Sequence, residues 1–499
     1  METGSYSISD LMLNSGVRFG TSGARGLVSA ITDQVAYSYT YAFLQHLEIS
    51  GQLKTNRRVA IAGDFRPSTP RIMAAVCKAA IDRGLQVINC GYIPSPAIAL
   101  YGLQQGIPSI MITGSHIPDD RNGIKFNRLD GEILKEDEQA IRDQVIEIPE
   151  QLFDQQGYFA QKQDLPSVNR TAYENYVRRY TNFFSPMCLE GLRIGLYEHS
   201  SVARESAAEV LEALGAEVIR LGYSDQFVPV DTEAIRPEDI ALAKDWANIH
   251  DLDSIVSTDG DGDRPLVSDE KGEWLRGDMA GMLCAYFLNA EWVATPVSSS
   301  SAVERSGWFT GVSRTRIGSP YVISAMSTLL DEGREGVVGY EANGGFLNAD
   351  TLVYGDKMLE PLPTRDALIV IVGILNRTQN GALKVSELCA SAPARFTSSN
   401  RLKAFPIDLS QERLAAFTSG NFERDSRAIE QVFGNQFGEV KSIDLTDGVR
   451  ITFKGEDIIH LRPSGNAPEL RCYTEADSEQ WVREMNRICL NLLEEWRVH

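Results

Sequence analysis

The sequence lacks the features that commit a chain to a membrane, a secreted scaffold or a polyanion. No run of 18 apolar residues occurs, which excludes a membrane-spanning helix of ordinary length. The opening Met1-Glu-Thr-Gly-Ser-Tyr6 has neither the basic segment nor the apolar core of an export signal. Seven cysteines, spread from Cys77 to Cys489, form no CxxC pair, so neither a disulfide framework nor a zinc motif is expected. Basic blocks are also missing: 48 Lys and Arg face 68 Asp and Glu, a formal charge of -20, which argues against DNA or RNA as a partner. The expectation is a soluble, cytoplasmic protein with no nucleic-acid or membrane partner, although phosphorylated metabolites can still bind locally.

What is present is an α/β rhythm over a chain of 499 residues, long enough for about three or four domains. Val59 to Ala62 reads as a strand, Thr69 to Arg83 as an amphipathic helix and Leu85 to Cys90 as the next strand. Asp64 and Arg66, between the first strand and the helix, orient a loop more readily than they perform chemistry. An acidic helix is expected from Lys135 to Val145. The rhythm restarts at Leu192 to Tyr197, and again near Trp292 to Pro296, with Thr310 to Gly318 as an arginine-rich loop. The apolar stretch Ala367 to Leu375 suits a buried helix. The tail differs: three antiparallel strands between Val440 and Leu461 precede a helix with Trp481, Met485, Ile488, Leu492 and Trp496 as its core stripe.

Chemistry concentrates in the loops. Thr113-Gly-Ser-His-Ile-Pro-Asp-Asp-Arg-Asn-Gly-Ile-Lys-Phe126 follows the apolar strand Pro108 to Ile112, so Ser115 emerges at a strand's carboxyl end, where open α/β sheets place ligands. Gly114 and Gly123 supply backbone freedom, and His116 and Lys125 supply titratable nitrogens. An ordinary strand-to-loop turn has the same local look. In Thr258-Asp-Gly-Asp-Gly-Asp-Arg264 the glycines let Asp259, Asp261 and Asp263 curl around a divalent cation, which would relieve their mutual repulsion. The alternative is a solvated acidic turn, and Arg264 serves either substrate oxygens or loop electrostatics. Glu341-Ala-Asn-Gly-Gly345 offers Glu341 and Asn343 to the hydroxyls of a sugar, with the glycines making room for its ring, or is a plain tight turn. Arg462-Pro-Ser-Gly-Asn-Ala-Pro-Glu-Leu-Arg471 places Arg462, Ser464, Gly465, Asn466 and Arg471 as an anion cradle in an acidic chain. Arg18-Phe-Gly-Thr-Ser-Gly-Ala-Arg-Gly26 is a weaker nest, with Arg25 as its guanidinium.

In order and spacing these loops resemble the phosphoserine, metal-binding, sugar-binding and phosphate-binding loops of the α-D-phosphohexomutase superfamily, and Arg18 to Gly26 resembles its amino-terminal signature. The resemblance spans essentially the whole chain. It implies four domains around a central cleft, three related mixed-sheet α/β domains and a C-terminal α+β lid, divided here as 1–170, 171–290, 291–390 and 391–499. It implies that Ser115 is carried as phosphoserine beside Mg²⁺ held by Asp259, Asp261 and Asp263. Hexose phosphates are then the substrates, with a hexose 1,6-bisphosphate as intermediate and activator. Lys125 is implied as acid or base, His116 as a positioner of the serine loop, and Arg25 as a brace for it. Arg264, Glu341, Asn343 and the 462–471 loop are implied as substrate contacts.

Some positions depart from the family pattern. Ile117 stands where asparagine is frequent, Asn466 where threonine is common, Ala467 in place of an acidic residue, and Glu-Ala-Asn-Gly-Gly in place of Glu-Met-Ser-Gly-His. Mannose phosphate is the expected substrate, glucose phosphate or dual use the second expectation, and glucosamine phosphate the third, because Gly114 stands where that branch has alanine. A catalytically silent phosphosugar-binding scaffold is the reading from another class, and Ser115 with three intact aspartates argues against it. Monomer and homodimer both remain open.

Overall fold

Short aliphatic runs, each followed by a helix with one apolar face, build three successive α/β units in the computed structural model, which describes residues 3–20, 23–53, 56–464 and 468–497. In the first unit six strands lie in the order Arg18–Phe19, Ala24–Leu27, Arg121–Asn127, Ser109–Ile112, Arg58–Gly63, Gln86–Tyr92. The last three are mutually parallel, and the first three run antiparallel to their neighbours. Ser109–Ile112 is buried along its whole length, as a central strand covered on both faces must be.

The second and third units repeat one plan. Glu217–Tyr223, Arg193–His199 and Ser254–Thr258 are parallel, and Pro265–Val267 returns antiparallel at the edge. Gly311–Thr315, Trp292–Pro296 and Val337–Tyr340 are parallel, with Phe346–Asn348 as the returning edge. The final unit is a five-stranded antiparallel sheet in the order Phe396–Leu402, Leu470–Ala476, Ile458–Pro463, Val449–Phe453, Val440–Asp444.

This topology gives the site its address. In each α/β unit the last parallel strand ends in a loop that reverses into an antiparallel strand, and those reversals are residues 113–120, 259–264 and 341–345. In the final sheet the reversal between Ile458–Pro463 and Leu470–Ala476 is the 464–469 loop.

One apolar core runs through all three α/β units, from Ala60 and Ile98 through Leu211 and Val256 to Phe346 and Ile371. Helix Ala367–Gly381 enters it with its first nine residues, Ala367 to Leu375, apolar all round, and packs on helix Gly277–Phe287 and strand Pro265–Val267. Each of its buried Leu, Ile and Val side chains contributes about 1.5–3 kcal/mol. The final unit has its own core around Phe433, Ile451 and Cys472. It meets the third unit through polar contacts: Glu475 Oε1, which accepts from Arg395 Nε (3.0 Å) within its own unit, also accepts from Ser300 Oγ (2.9 Å) and Ser301 N (2.7 Å). Among the described residues no helix is long and apolar enough to cross a membrane.

Three local expectations are corrected. The acidic helix stops at Arg142, and Val145–Pro149 is a strand because it pairs with Thr3–Ser7. Gly311–Thr315, expected as loop, is an edge strand held by Trp292–Pro296. In helix Glu479–Glu494 the fully buried face is Val482, Met485, Cys489 and Leu493, about one position round from the expected stripe, with Trp481, Ile488 and Leu492 flanking it.

Candidate active site

Ser115 has a positive φ of 56°, a left-handed conformation that costs a residue with a side chain about 1–3 kcal/mol unless its surroundings enforce it. The enforcement comes from Arg66, which is fully buried and uses all five of its N–H donors. Nη2 donates to the carbonyls of Ser115 (2.7 Å) and Ile117 (2.5 Å), Nη1 to those of Pro118 (2.7 Å) and Arg121 (3.1 Å), and Nε to Asp64 Oδ2 (3.1 Å). Phe227 from the second unit lies 3.9 Å under the guanidinium. The glycines of this loop have a different task from the expected one: neither adopts a positive φ. A Cβ on Gly114 would stand 2.7 Å from the Arg66 guanidinium, and one on Gly123 would stand 2.7 Å from the Ala24 carbonyl oxygen.

Ser115 Oγ donates to Asp259 Oδ2 at 2.5 Å, across a sequence separation of 144 residues. Asp259, Asp261 and Asp263 are buried, and one carboxylate oxygen from each lies within 4.8 Å of the others. Gly262 takes a φ of 74° to turn the chain between the last two. Ser95 braces the loop by donating its N–H to the Asp261 carbonyl (2.9 Å) and its hydroxyl to Asp261 Oδ2 (2.5 Å).

Lys125 Nζ donates to Asp261 Oδ2 and Asp263 Oδ2, both at 2.6 Å. Burial opposes ionisation of both carboxyls, but Lys125 beside Asp261 and Arg365 beside Asp263 hold them below the usual carboxylate range. Burial and the two neighbouring carboxylates push Asp259 well above it. Asp261 Oδ1 and Asp263 Oδ1 are buried with no hydrogen-bond partner among the described residues. Orphaned carboxylate oxygens converging beside a serine hydroxyl form a hard-oxygen donor set, and the residues fit a divalent cation.

A ring of cations surrounds the cluster. Arg264 Nη1 donates to His116 Nδ1 at 2.8 Å, and that nitrogen lies 3.4 Å from Ser115 Oγ. Burial and Arg264 push the His116 pKa down to about 3, so the ring is neutral and accepts. Arg25 is registered opposite Gly123 in the sheet; burial and the charges of Arg264 and Arg365 lower its pKa to about 10. Arg365, buried at 2% exposure, spans two loops: Nη2 lies 3.1 Å from Asp263 Oδ2 and Nη1 3.5 Å from Glu341 Oε2.

The turn from Glu341 to Gly345 is closed by its own residues. Asn343 Oδ1 accepts from Gly345 N at 2.9 Å. A Cβ on Gly345 would stand 2.6 Å from Arg365 Cδ, so this glycine makes room for an arginine. In the final sheet Arg462 and Arg471 face each other in register, and Arg462 Nε donates to Asp447 Oδ1 at 2.8 Å. Ser464 is buried, and Gly465 and Asn466 lie outside the described residues. Arg471 and His116, from opposite ends of the chain, line one cavity of about 440 Å³ together with Asp231, Glu233 and Tyr473.

The chain matches four family models in order: phosphoglucomutase/phosphomannomutase alpha/beta/alpha domain I over residues 16–152, domain II over 173–272, domain III over 276–396, and the C-terminal domain over 417–488. A phosphomannomutase of Salmonella muenchen is 43% identical over 476 residues, covering 95% of each chain. The chain belongs to the phosphoglucomutase/phosphomannomutase family. Solved structures share its fold. A phosphoglucomutase/phosphomannomutase family protein from Burkholderia thailandensis superposes with a TM-score of 0.70 at 19% identity, covering 96% of this chain and 97% of that one. An Aspergillus fumigatus N-acetylphosphoglucosamine mutase, solved with GlcNAc-6P and magnesium, gives 0.57 at 12% identity, covering 99% of this chain and all of that one.

Several of the residues that build the cleft stand outside the sequence motifs. Arg365, in Pro363-Thr-Arg-Asp366, reads in sequence as the start of a helix, since Asp366 caps helix Ala367–Gly381. Ser95 reads as part of a proline turn, and Asp231-Thr-Glu233 as a connecting loop. Only their partners, all distant in sequence, reveal them.

Proposed function

We propose that this protein is a phosphohexomutase that interconverts mannose 6-phosphate and mannose 1-phosphate through a phosphoserine at Ser115. The observation that carries the reading is the Ser115 hydroxyl on Asp259, inside the aspartate cluster, in a cleft whose far wall holds Arg471. The Salmonella muenchen relative supports mannose phosphate as the substrate. The division into units 1–170, 171–290, 291–390 and 391–499 is part of the same proposal.

Each residue then has a task. A sugar hydroxyl attacks phosphorus; the new O–P bond forms as the bond to Ser115 Oγ breaks, and the product is a hexose 1,6-bisphosphate. Lys125 passes the hydroxyl proton toward Ser115 Oγ. His116 and Arg264 fix the serine loop from one side, and Arg25 faces the phosphoryl oxygens from the other. Glu341 and Asn343 hold the sugar, while Arg462, Ser464, Gly465, Asn466 and Arg471 hold the phosphate that is not reacting. The bisphosphate turns over in the cleft and returns its other phosphoryl group to Ser115. Asp259, Asp261, Asp263 and Ser115 would hold Mg²⁺, which supplies positive charge against the phosphoryl oxygens.

The test is incubation with mannose 1,6-bisphosphate and Mg²⁺, followed by peptide mass spectrometry and phosphorus NMR of mannose 1-phosphate conversion. Phosphate on Ser115 with net isomerisation is expected, and both should vanish on chelation. An unlabelled Ser115 overturns the proposal. Matched rates with glucose 1-phosphate and glucosamine 1-phosphate place the substrate: a preference of at least about tenfold for mannose, about 1.4 kcal/mol, is expected.

A further inference from the structure

The loop between strand Glu217–Tyr223 and helix Pro237–His250 enters the cleft without belonging to any of the four motifs. Thr232 anchors it: its buried Oγ1 donates to the carbonyl of Asn343 in the sugar turn at 2.7 Å. Asp231 Oδ1 accepts from the Glu233 N–H at 3.0 Å, which fixes the next residue in turn. Glu233 is thereby held against the sugar turn and borders two adjoining spaces. One is the 440 Å³ cavity with His116 and Arg471, and the other lies beside Arg276, Ser299, Ala342 and Tyr473.

Among the described residues the Glu233 carboxylate makes no hydrogen bond and no ion pair. It is open to water, yet the protein around it raises its pKa, against the pull of Arg264 and Arg276. A carboxylate acceptor held without a partner between a sugar turn and a phosphate arginine is suited to a hydroxyl. The surrounding guanidiniums of Arg264, Arg276 and Arg471 offset its repulsion of a nearby phosphate.

We propose that Glu233 is a specificity residue that accepts a hydrogen bond from the sugar hydroxyl adjacent to the phosphate seated at Arg471. The assignment rests on the mutase reading. When the sugar sits with its C1 phosphate at Arg471, the adjacent hydroxyl is on C2, the carbon at which mannose and glucose differ. When the C6 phosphate sits there, the adjacent ring carbon, C5, carries no free hydroxyl. Glu233 therefore reads the sugar in one of its two orientations.

Titration calorimetry on a Ser115→Ala background separates binding from chemistry. Glu233→Ala should weaken mannose 1-phosphate about fivefold or more, the value of about one hydrogen bond, and leave mannose 6-phosphate within about twofold. With Ser115 intact, Glu233→Ala should also shift the kcat/KM ratio of mannose 1-phosphate to glucose 1-phosphate by about fivefold or more. Glu233→Gln, which keeps an acceptor oxygen, should fall between wild type and alanine. Equal weakening of both phosphates, or an unchanged sugar ratio, overturns the assignment. Labelling of wild-type Ser115 by mannose 1,6-bisphosphate is run alongside: absent labelling sinks the mutase reading, whereas intact labelling with unaltered selectivity sinks only the role of Glu233.

Discussion

The Arg66 guanidinium donates to the carbonyl of Ser115 at 2.7 Å, so a buried cation fixes the backbone of this serine while staying clear of its hydroxyl. Its charge is matched by Asp64, which also accepts from Thr69 Oγ1 at 2.7 Å.

Replacing Arg66 with methionine leaves Asp64 as an uncompensated buried carboxylate and frees four carbonyls of the serine loop. Destabilisation of about 3–5 kcal/mol is expected from urea unfolding. Arg66→Met/Asp64→Asn should recover part of that stability. It should not recover phosphorylation of Ser115, because the carbonyl clamp is still absent.

At Ser115 itself, alanine and glycine should part company. Both remove the hydroxyl and should abolish turnover. Alanine keeps the left-handed strain, whereas glycine relieves it, so Ser115→Gly should unfold about 1 kcal/mol later than Ser115→Ala in a denaturant titration.

Arg365 makes one guanidinium answerable to two loops. A double-mutant cycle of Arg365→Met with Glu341→Gln should give a coupling energy of about 0.5–3 kcal/mol in stability. Arg365→Met alone should raise KM for the hexose phosphate as well as lower stability. A zero coupling would mean that the 3.5 Å approach carries no energy.

Acid sensitivity should trace partly to His460. Its Nε2 donates to the Asp447 carbonyl at 2.6 Å, its ring stacks on Tyr473, and burial lowers its pKa to about 4. The unfolded chain takes up a proton near the ordinary value of about 6.5 while the folded one does not. Stability is therefore full above about pH 6.5, falls as pH drops toward about 4, and levels below that, a loss of about 3 kcal/mol. His460→Gln should flatten that limb in unfolding measured against pH.

The sequence made legible whatever depends on local pattern. Ser115, the aspartate triad and Glu341 stand in loops, and Arg471 at the start of the strand after one, where glycines, hydroxyls and charges mark them, and the strand-helix alternation announced the α/β units. What stayed hidden depends on distant partners. Val145–Pro149 became a strand only because Thr3–Ser7 lies beside it, and Gly311–Thr315 only because of Trp292–Pro296. Arg365 and Glu233 look like ordinary charged residues until the chain brings Asp263, Glu341 and Arg471 to them. The glycines were assigned to the right loops for an incomplete reason, since the tight approaches of Arg66 and Arg365 set the requirement at Gly114 and Gly345.

The three α/β units all put their reversing loops at one rim, which leaves the opposite rim to plain helix-to-strand turns. Gly84, Gly215 and Gly333 mark those turns with φ values of 73°, 99° and 76°. Fluorophores or surface tethers attached beside them would sit on the non-reacting side of each unit, and such labels would let the motions of the units be watched during turnover without entering the cleft.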